Sequence, residues 1–197
     1  MKSSSRGQCH IDVASYHEAG HALAALYEGR QLFGIAVSLG DPGNGLCLCA
    51  SRPASLFNLT NNSGTAQAAW MHTLSTTCAD IRIYLAGPLA EARALGTPLR
   101  SLGARSDLEY CLNMAVRLNH LGDFVSQFTE IALIDVEKIM DTQRCKTRRW
   151  LARPKVWKTI ELIAGILSSE GNLNIQQLNY LIGAAGLPDK QSPLNFL

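Results

Sequence analysis

The sequence predicts a mainly helical domain of the α+β class, and three observations carry that expectation. Apolar residues recur at helical spacing through most of the chain, as with Trp70, Leu74, Cys78, Ile81 and Leu85. Residues 33–50 instead alternate in the manner of a β-hairpin. Two histidines, His17 and His21, stand four positions apart in an early helical segment. At 197 residues the chain can bury a core of its own. Residues 1–12 read as a flexible leader, 13–185 as one domain and 186–197 as a loose tail.

Each element has its local reason. Asp12 is an N-cap candidate for a helix over 13–28 that stops at Gly29. On it, Tyr16, Gly20, Leu23, Ala24 and Tyr27 form an apolar stripe, and small Ala19 and Gly20 leave room for another backbone to approach. A strand over 33–39, a glycine-rich turn over 40–45 and a strand over 46–50 complete the hairpin. Cys47 and Cys49 share one face of the second strand, where they are expected as small buried hydrophobes rather than a thiol site. A polar loop over 53–64 precedes a helix over 65–95. Within that helix, Gly87-Pro88 should kink the chain or start a new helix, because proline lacks the amide donor and clashes with the preceding turn.

Ser106 is expected to cap a helix over 107–118, with Asp107 in its first turn. A long helix over 123–150 and another opened by Pro154 and running to 170 should form a C-terminal helical hairpin, followed by a short helix over 174–182. Seven basic residues and no acid lie between Arg144 and Lys158. They are expected to be a solvated helix end, with Trp150 and Trp157 as core anchors.

Composition narrows the function classes. A formal net charge of +2 is too near neutral to call for nucleic acid or an anionic membrane, so neither is expected as a partner. The first 13 residues are polar, and no stretch is long and apolar enough to span a bilayer. The six cysteines contain no C-x-x-C pair and are expected as reduced thiols of a cytoplasmic protein.

The chemistry concentrates in Tyr16-His17-Glu18-Ala19-Gly20-His21, an H-E-x-x-H pattern. Four positions is just over one helical turn, so both imidazoles leave the same face and can fill two corners of a tetrahedral zinc site. Glu18 is offset by one position. It is placed to act as base toward a water rather than as a ligand. Chance would put this pattern in roughly one chain of this length in a hundred or fewer. A catalytic zinc takes three protein ligands. Ala24 and Tyr27 occupy the positions where a longer metzincin-type pattern would place its glycine and third histidine. The remaining donors are Asp107, Glu91, Asp80, Asp41, His72 and His120, and composition does not choose among them.

Three ordered segments resemble the FtsH-type zinc peptidases, the protease domains of membrane-anchored AAA-plus proteases. They are Ser15-Tyr16-His17-Glu18-Ala19-Gly20-His21-Ala22-Leu23, then Leu85-Ala86-Gly87-Pro88-Leu89-Ala90-Glu91-Ala92, then Leu102-Gly103-Ala104-Arg105-Ser106-Asp107-Leu108 with Met114-Ala115-Val116-Arg117 after it. The likeness spans about residues 13–185. It implies a helical zincin-like peptidase domain with a small β-hairpin beside the H-E-x-x-H helix. It also implies one zinc ion held by His17, His21 and Asp107, with Glu18 as catalytic base and Glu91 as an acid supporting the ligands. The hairpin over 33–50 would bind an extended polypeptide substrate.

The middle segment departs from the family. Ala86-Gly87-Pro88 replaces Gly-Gly-Arg, and Ala92 replaces a second glutamate. The ATPase module and membrane helices of the family have no counterpart in these residues. The expected activity is therefore a zinc endopeptidase that cuts flexible chains or works with an AAA-plus unfoldase supplied as a separate protein. A zinc-binding regulatory domain derived from such a peptidase is the alternative. The oligomeric state is left open.

Overall fold

A computed structural model describes residues 12–39, 43–50, 63–99 and 104–186. The expected leader through residue 11, Asp41, most of the loop over 53–64 and the tail from 187 lie outside the described residues. The chain there is mainly helical with a small antiparallel sheet, in keeping with the expected class. No described helix is long and apolar enough to cross a membrane.

Helix α1 (Val13–Tyr27) is the centre of the packing. It touches α2 (Ser63–Leu95) on one side and α5 (Pro154–Glu170) and the sheet on others. Its alanines Ala19, Ala22 and Ala25 are fully buried. A β-carbon at Gly20 would lie 2.6 Å from the Ala86 oxygen and 2.9 Å from the Ala90 β-carbon. The small residues between the histidines thus admit the backbone of α2, as expected. Asp12 caps α1 by position, with its carboxylate accepting from Ser15 Oγ at 2.5 Å rather than from a backbone amide. Gly29 follows in the left-handed region, φ 72°.

Strand β1 (Leu32–Val37) pairs antiparallel with β2 (Gly45–Cys49) in the expected hairpin. A third strand, β3 (Asn172–Asn174), pairs with the other side of β1 and gives the order β2-β1-β3. Three residues carry too little alternation to be read from sequence. Gly34 admits the crossing, since a β-carbon there would sit 2.8 Å from the Leu173 oxygen.

Three expected boundaries are corrected. Helix α2 continues as one element through Pro88, so no new helix starts there. An interior proline costs about 3 kcal/mol, but Ile81, Leu85 and Leu89 on either side of it are at most 5% exposed. Each such side chain contributes roughly 1.5–3 kcal/mol of burial, so packing outweighs the lost bond. Helix α3 spans Ala104–Val125, starting before Ser106 and running past Gly122. Ser106 therefore does not cap it, although Asp107 keeps its place in the first turn. Gly122 faces Trp70, with 3.0 Å between its would-be β-carbon and the ring, beside a small second core of Trp70, Leu118 and Val125. Helix α4 begins at Val136, not 123. The Asp135 side chain caps it by accepting from the Lys138 amide at 3.0 Å, a helix-start signal that the long apolar pattern obscured.

The C-terminal helices α4 (Val136–Leu151) and α5 follow each other across residues 152–153. They pack chiefly on α2 and α1 respectively. Pro154 opens α5 as expected, and Gly171 closes it at φ 78°. Asn174 and Gln177 form a capping box at the start of α6 (Ile175–Ala184).

Candidate metal centre

The centre is assembled from three helices. Helix α1 presents His17 and His21 from one face, α3 brings Asp107 from its first turn, and α2 lies behind both with Ile83, Gly87 and Glu91. His17 Nε2 is 3.0 Å from His21 Nε2 and 2.9 Å from Asp107 Oδ2, and His21 Nε2 is 3.4 Å from the same oxygen. Among the described residues these three form the group of donors able to hold a metal ion.

The far side of each ring is fixed. His21 Nδ1 donates to the Ile83 carbonyl oxygen at 2.8 Å. A carbonyl can only accept, so the proton is on Nδ1 and the Nε2 lone pair faces the cluster. His17 Nδ1 donates to Glu91 Oε2 at 2.9 Å, a carboxylate 4% exposed. Histidines that ligate metals are commonly oriented by such outer partners.

Three lone-pair atoms at these separations repel one another unless a cation or a proton lies among them. Tetrahedral bonds of about 2.0–2.1 Å put neighbouring ligand atoms about 3.3 Å apart, close to the observed triangle. The residues therefore fit a small divalent ion with nitrogen and oxygen ligands. Without an ion, a proton takes that place. Burial pulls the His17 imidazolium down, but hydrogen bonds to Asp107 and Glu91 outweigh it and raise its pKa to about 9. Burial likewise pushes Asp107 up, and the two histidines overcome it to hold the carboxyl at about 2.

Glu18 is buried beside the triad without being part of it. Desolvation raises its pKa against the opposing pull of His21 and His17, which moves it in the direction a general base at neutral pH needs. Its position depends on β2. A β-carbon at Gly45 would lie 2.5 Å from Glu18 Cγ and 2.6 Å from Oε1, so only glycine leaves the carboxylate its room.

These groups line a cleft of about 900 Å³. One wall is β2, which stands at the edge of the sheet, and Gly45, Leu46, Cys47 and Cys49 face the cleft from it. The two thiols do share a face, 3.7 Å apart and half buried against the core. A hydrogen bond from Cys47 holds the Cys49 thiol down to about 7. All five described cysteines are free.

The remaining sequence candidates separate cleanly. Asp80 is paired with Arg30 at 2.7 Å, His72 and His120 are exposed on α2 and α3, and Asp41 is outside the described residues. Sequence reasoning missed the Ile83 carbonyl, Gly45 and the phenols of Tyr84 and Tyr110, whose rings meet at 4.7 Å on the cleft wall. A backbone carbonyl leaves no mark in a sequence. The glycine hid in a turn where glycine is ordinary.

No protein-family model matches the chain, and no curated protein matches it. The likeness to FtsH-type peptidases rests on its three ordered segments.

Proposed function

We propose that the domain is a zinc-dependent endopeptidase acting on unfolded or extended polypeptides. The observation that carries this reading is the convergence of His17, His21 and Asp107 beside a buried, proton-accepting Glu18 on the wall of an open cleft. When bound, zinc supplies the Lewis acid that polarises a carbonyl and acidifies a water. Two imidazoles and a carboxylate suit several divalent ions. The glutamate inside the H-E-x-x-H pattern favours hydrolysis over redox chemistry.

In the proposed reaction Glu18 takes the proton of the attacking water and delivers it to the leaving amine. Glu91 and the Ile83 carbonyl keep both imidazoles turned toward the centre. A peptide lying along the outer edge of β2 would be hydrogen-bonded as an added strand, with its backbone passing Gly45 and Glu18. Only an extended chain can add to a sheet edge, which is why flexible polypeptides are the proposed substrates. Folded proteins would need an unfoldase supplied separately.

The test is cleavage of a mixed library of short unstructured peptides, read by mass spectrometry, with metal content measured on the same sample. Cuts made by the zinc-loaded protein, and absent in both Glu18→Gln and the chelated protein, support the proposal. No cuts with one zinc per chain would replace it with a zinc-dependent regulatory domain.

A further inference from the structure

A second pocket, of about 170 Å³, lies between the C-terminal end of α1 and helix α4, away from the metal cleft. Ala24 and Tyr27 of α1 and Trp150 of α4 give it apolar walls. The Tyr27 and Trp150 rings meet at 5.3 Å. Trp150 is 8% exposed, and its buried indole Nε1–H has no acceptor among the described residues. An indole nitrogen can only donate. Leaving such a group unpaired costs about 1–3 kcal/mol.

Cations outnumber carboxylates four to one among the described residues lining the pocket. Arg82 spends its guanidinium on Glu28, at 2.6 and 2.9 Å, and on Gln143 at 2.7 Å, so the only carboxylate lining the pocket is already matched. Lys146, Arg149 and Arg153 add three more cations. Arg149 and Arg153 are exposed and, among the described residues, form no ion pair. The basic run over 144–158 is a solvated helix end, as expected, with most of its side chains exposed, and three of its members, Lys146, Arg149 and Arg153, also border a concave apolar site. The enclosure decides between ligand classes. An engineered cavity of about 150 Å³ takes up one benzene, so this space accepts a ring and excludes a nucleic-acid strand.

We propose that this pocket binds a small organic anion, with a ring-sized apolar body against Tyr27 and Trp150 and its phosphate, sulfonate or carboxylate head on Arg149 and Arg153. The site is independent of the metal chemistry, although it borders α1, which carries His17 and His21.

The experiment titrates the full chain with phenyl phosphate, benzenesulfonate and benzoate while following the tryptophan indole N–H signals by NMR. The chain has three tryptophans, and Trp150→Phe assigns the relevant signal. Saturable binding that shifts the Trp150 signal is expected from at least one of the three, and their ranking identifies the preferred head group. The double variant Arg149→Ala, Arg153→Ala changes only exposed side chains. It should keep the fold, seen as an unchanged remainder of the spectrum, and weaken binding by about tenfold or more. Benzyl alcohol should bind about tenfold or more weakly than the best anion. Any of four results overturns the proposal: no saturable binding at millimolar concentrations, equal binding to the double variant, equal binding of benzyl alcohol, or inorganic phosphate binding as tightly as phenyl phosphate.

Discussion

Gly87 stands directly against the imidazole of His21. A β-carbon there would lie 2.6 Å from His21 Cε1 and 2.7 Å from Cδ2, and would overlap Nε2 itself. Alanine is favoured over glycine inside a helix by about 1 kcal/mol, so local propensity alone makes Gly87→Ala stabilising. The contact predicts the opposite for the centre. Zinc affinity should fall by about 10–100-fold, measured by competition with a chelator, while the metal-free protein melts within a few degrees of wild type.

Asp107 and Glu91 touch the same histidine on opposite nitrogens, and removing them should have unequal consequences. Asp107→Ala removes a donor atom from the triad. Glu91→Ala removes only the group that orients His17, a loss typically of about 10–100-fold in metal affinity. Chelator competition should rank Asp107→Ala as the larger loss. Equal or reversed losses would remove Asp107 from the ligand set.

Glu18→Gln keeps the shape of the side chain and removes its basicity. Peptide cleavage should fall by about 10²–10⁴-fold with zinc still bound at one per chain. Gly45→Ala should lower turnover while leaving zinc content unchanged, because its β-carbon would meet Glu18 rather than a ligand. A Gly45→Ala protein with wild-type turnover would show that the carboxylate does not depend on this packing.

The raised pKa of His17 gives the metal-free protein a defined pH response. The folded state holds this proton up to about 9, and the unfolded chain releases it near the ordinary imidazole value of 6.5. Between those values the native state binds more protons, so stability falls as pH rises. The contribution is fully present below 6.5 and lost through about 9. Thermal melts of chelated protein across that window should show the decline. Zinc binding at neutral pH should release a proton, detectable by calorimetry in buffers of different ionisation enthalpy.

Spacing alone left Asp107 among several candidate donors, and only the resemblance singled it out, because its approach from α3 to His17 is a tertiary contact. The histidine pair is legible because its geometry is local: His17 and His21 need only a helix to share a face. The hairpin and the stop at Gly29 are legible for the same reason. Local signals mislead where distant packing overrides them. Pro88 would end an isolated helix but is held within α2 by the buried side chains around it. The extension of α3 beyond 118 has no local signal, because Gly122 packs there on Trp70, 52 residues away in sequence. β3 forms only because β1 offers it an edge. The Ile83 carbonyl that orients His21 has no sequence signal at all.

The two principal contacts of His17 lie 74 and 90 positions further along the chain. The centre therefore does not exist in any nascent chain shorter than 107 residues, however well its first helix has formed. Glu91 and Asp107 arrive on different helices, so the site closes only when α2 and α3 have both docked on α1. If the centre takes up the proposed metal, its occupancy would record completed tertiary assembly, and a chain that misfolds at α3 would lack the third donor, Asp107.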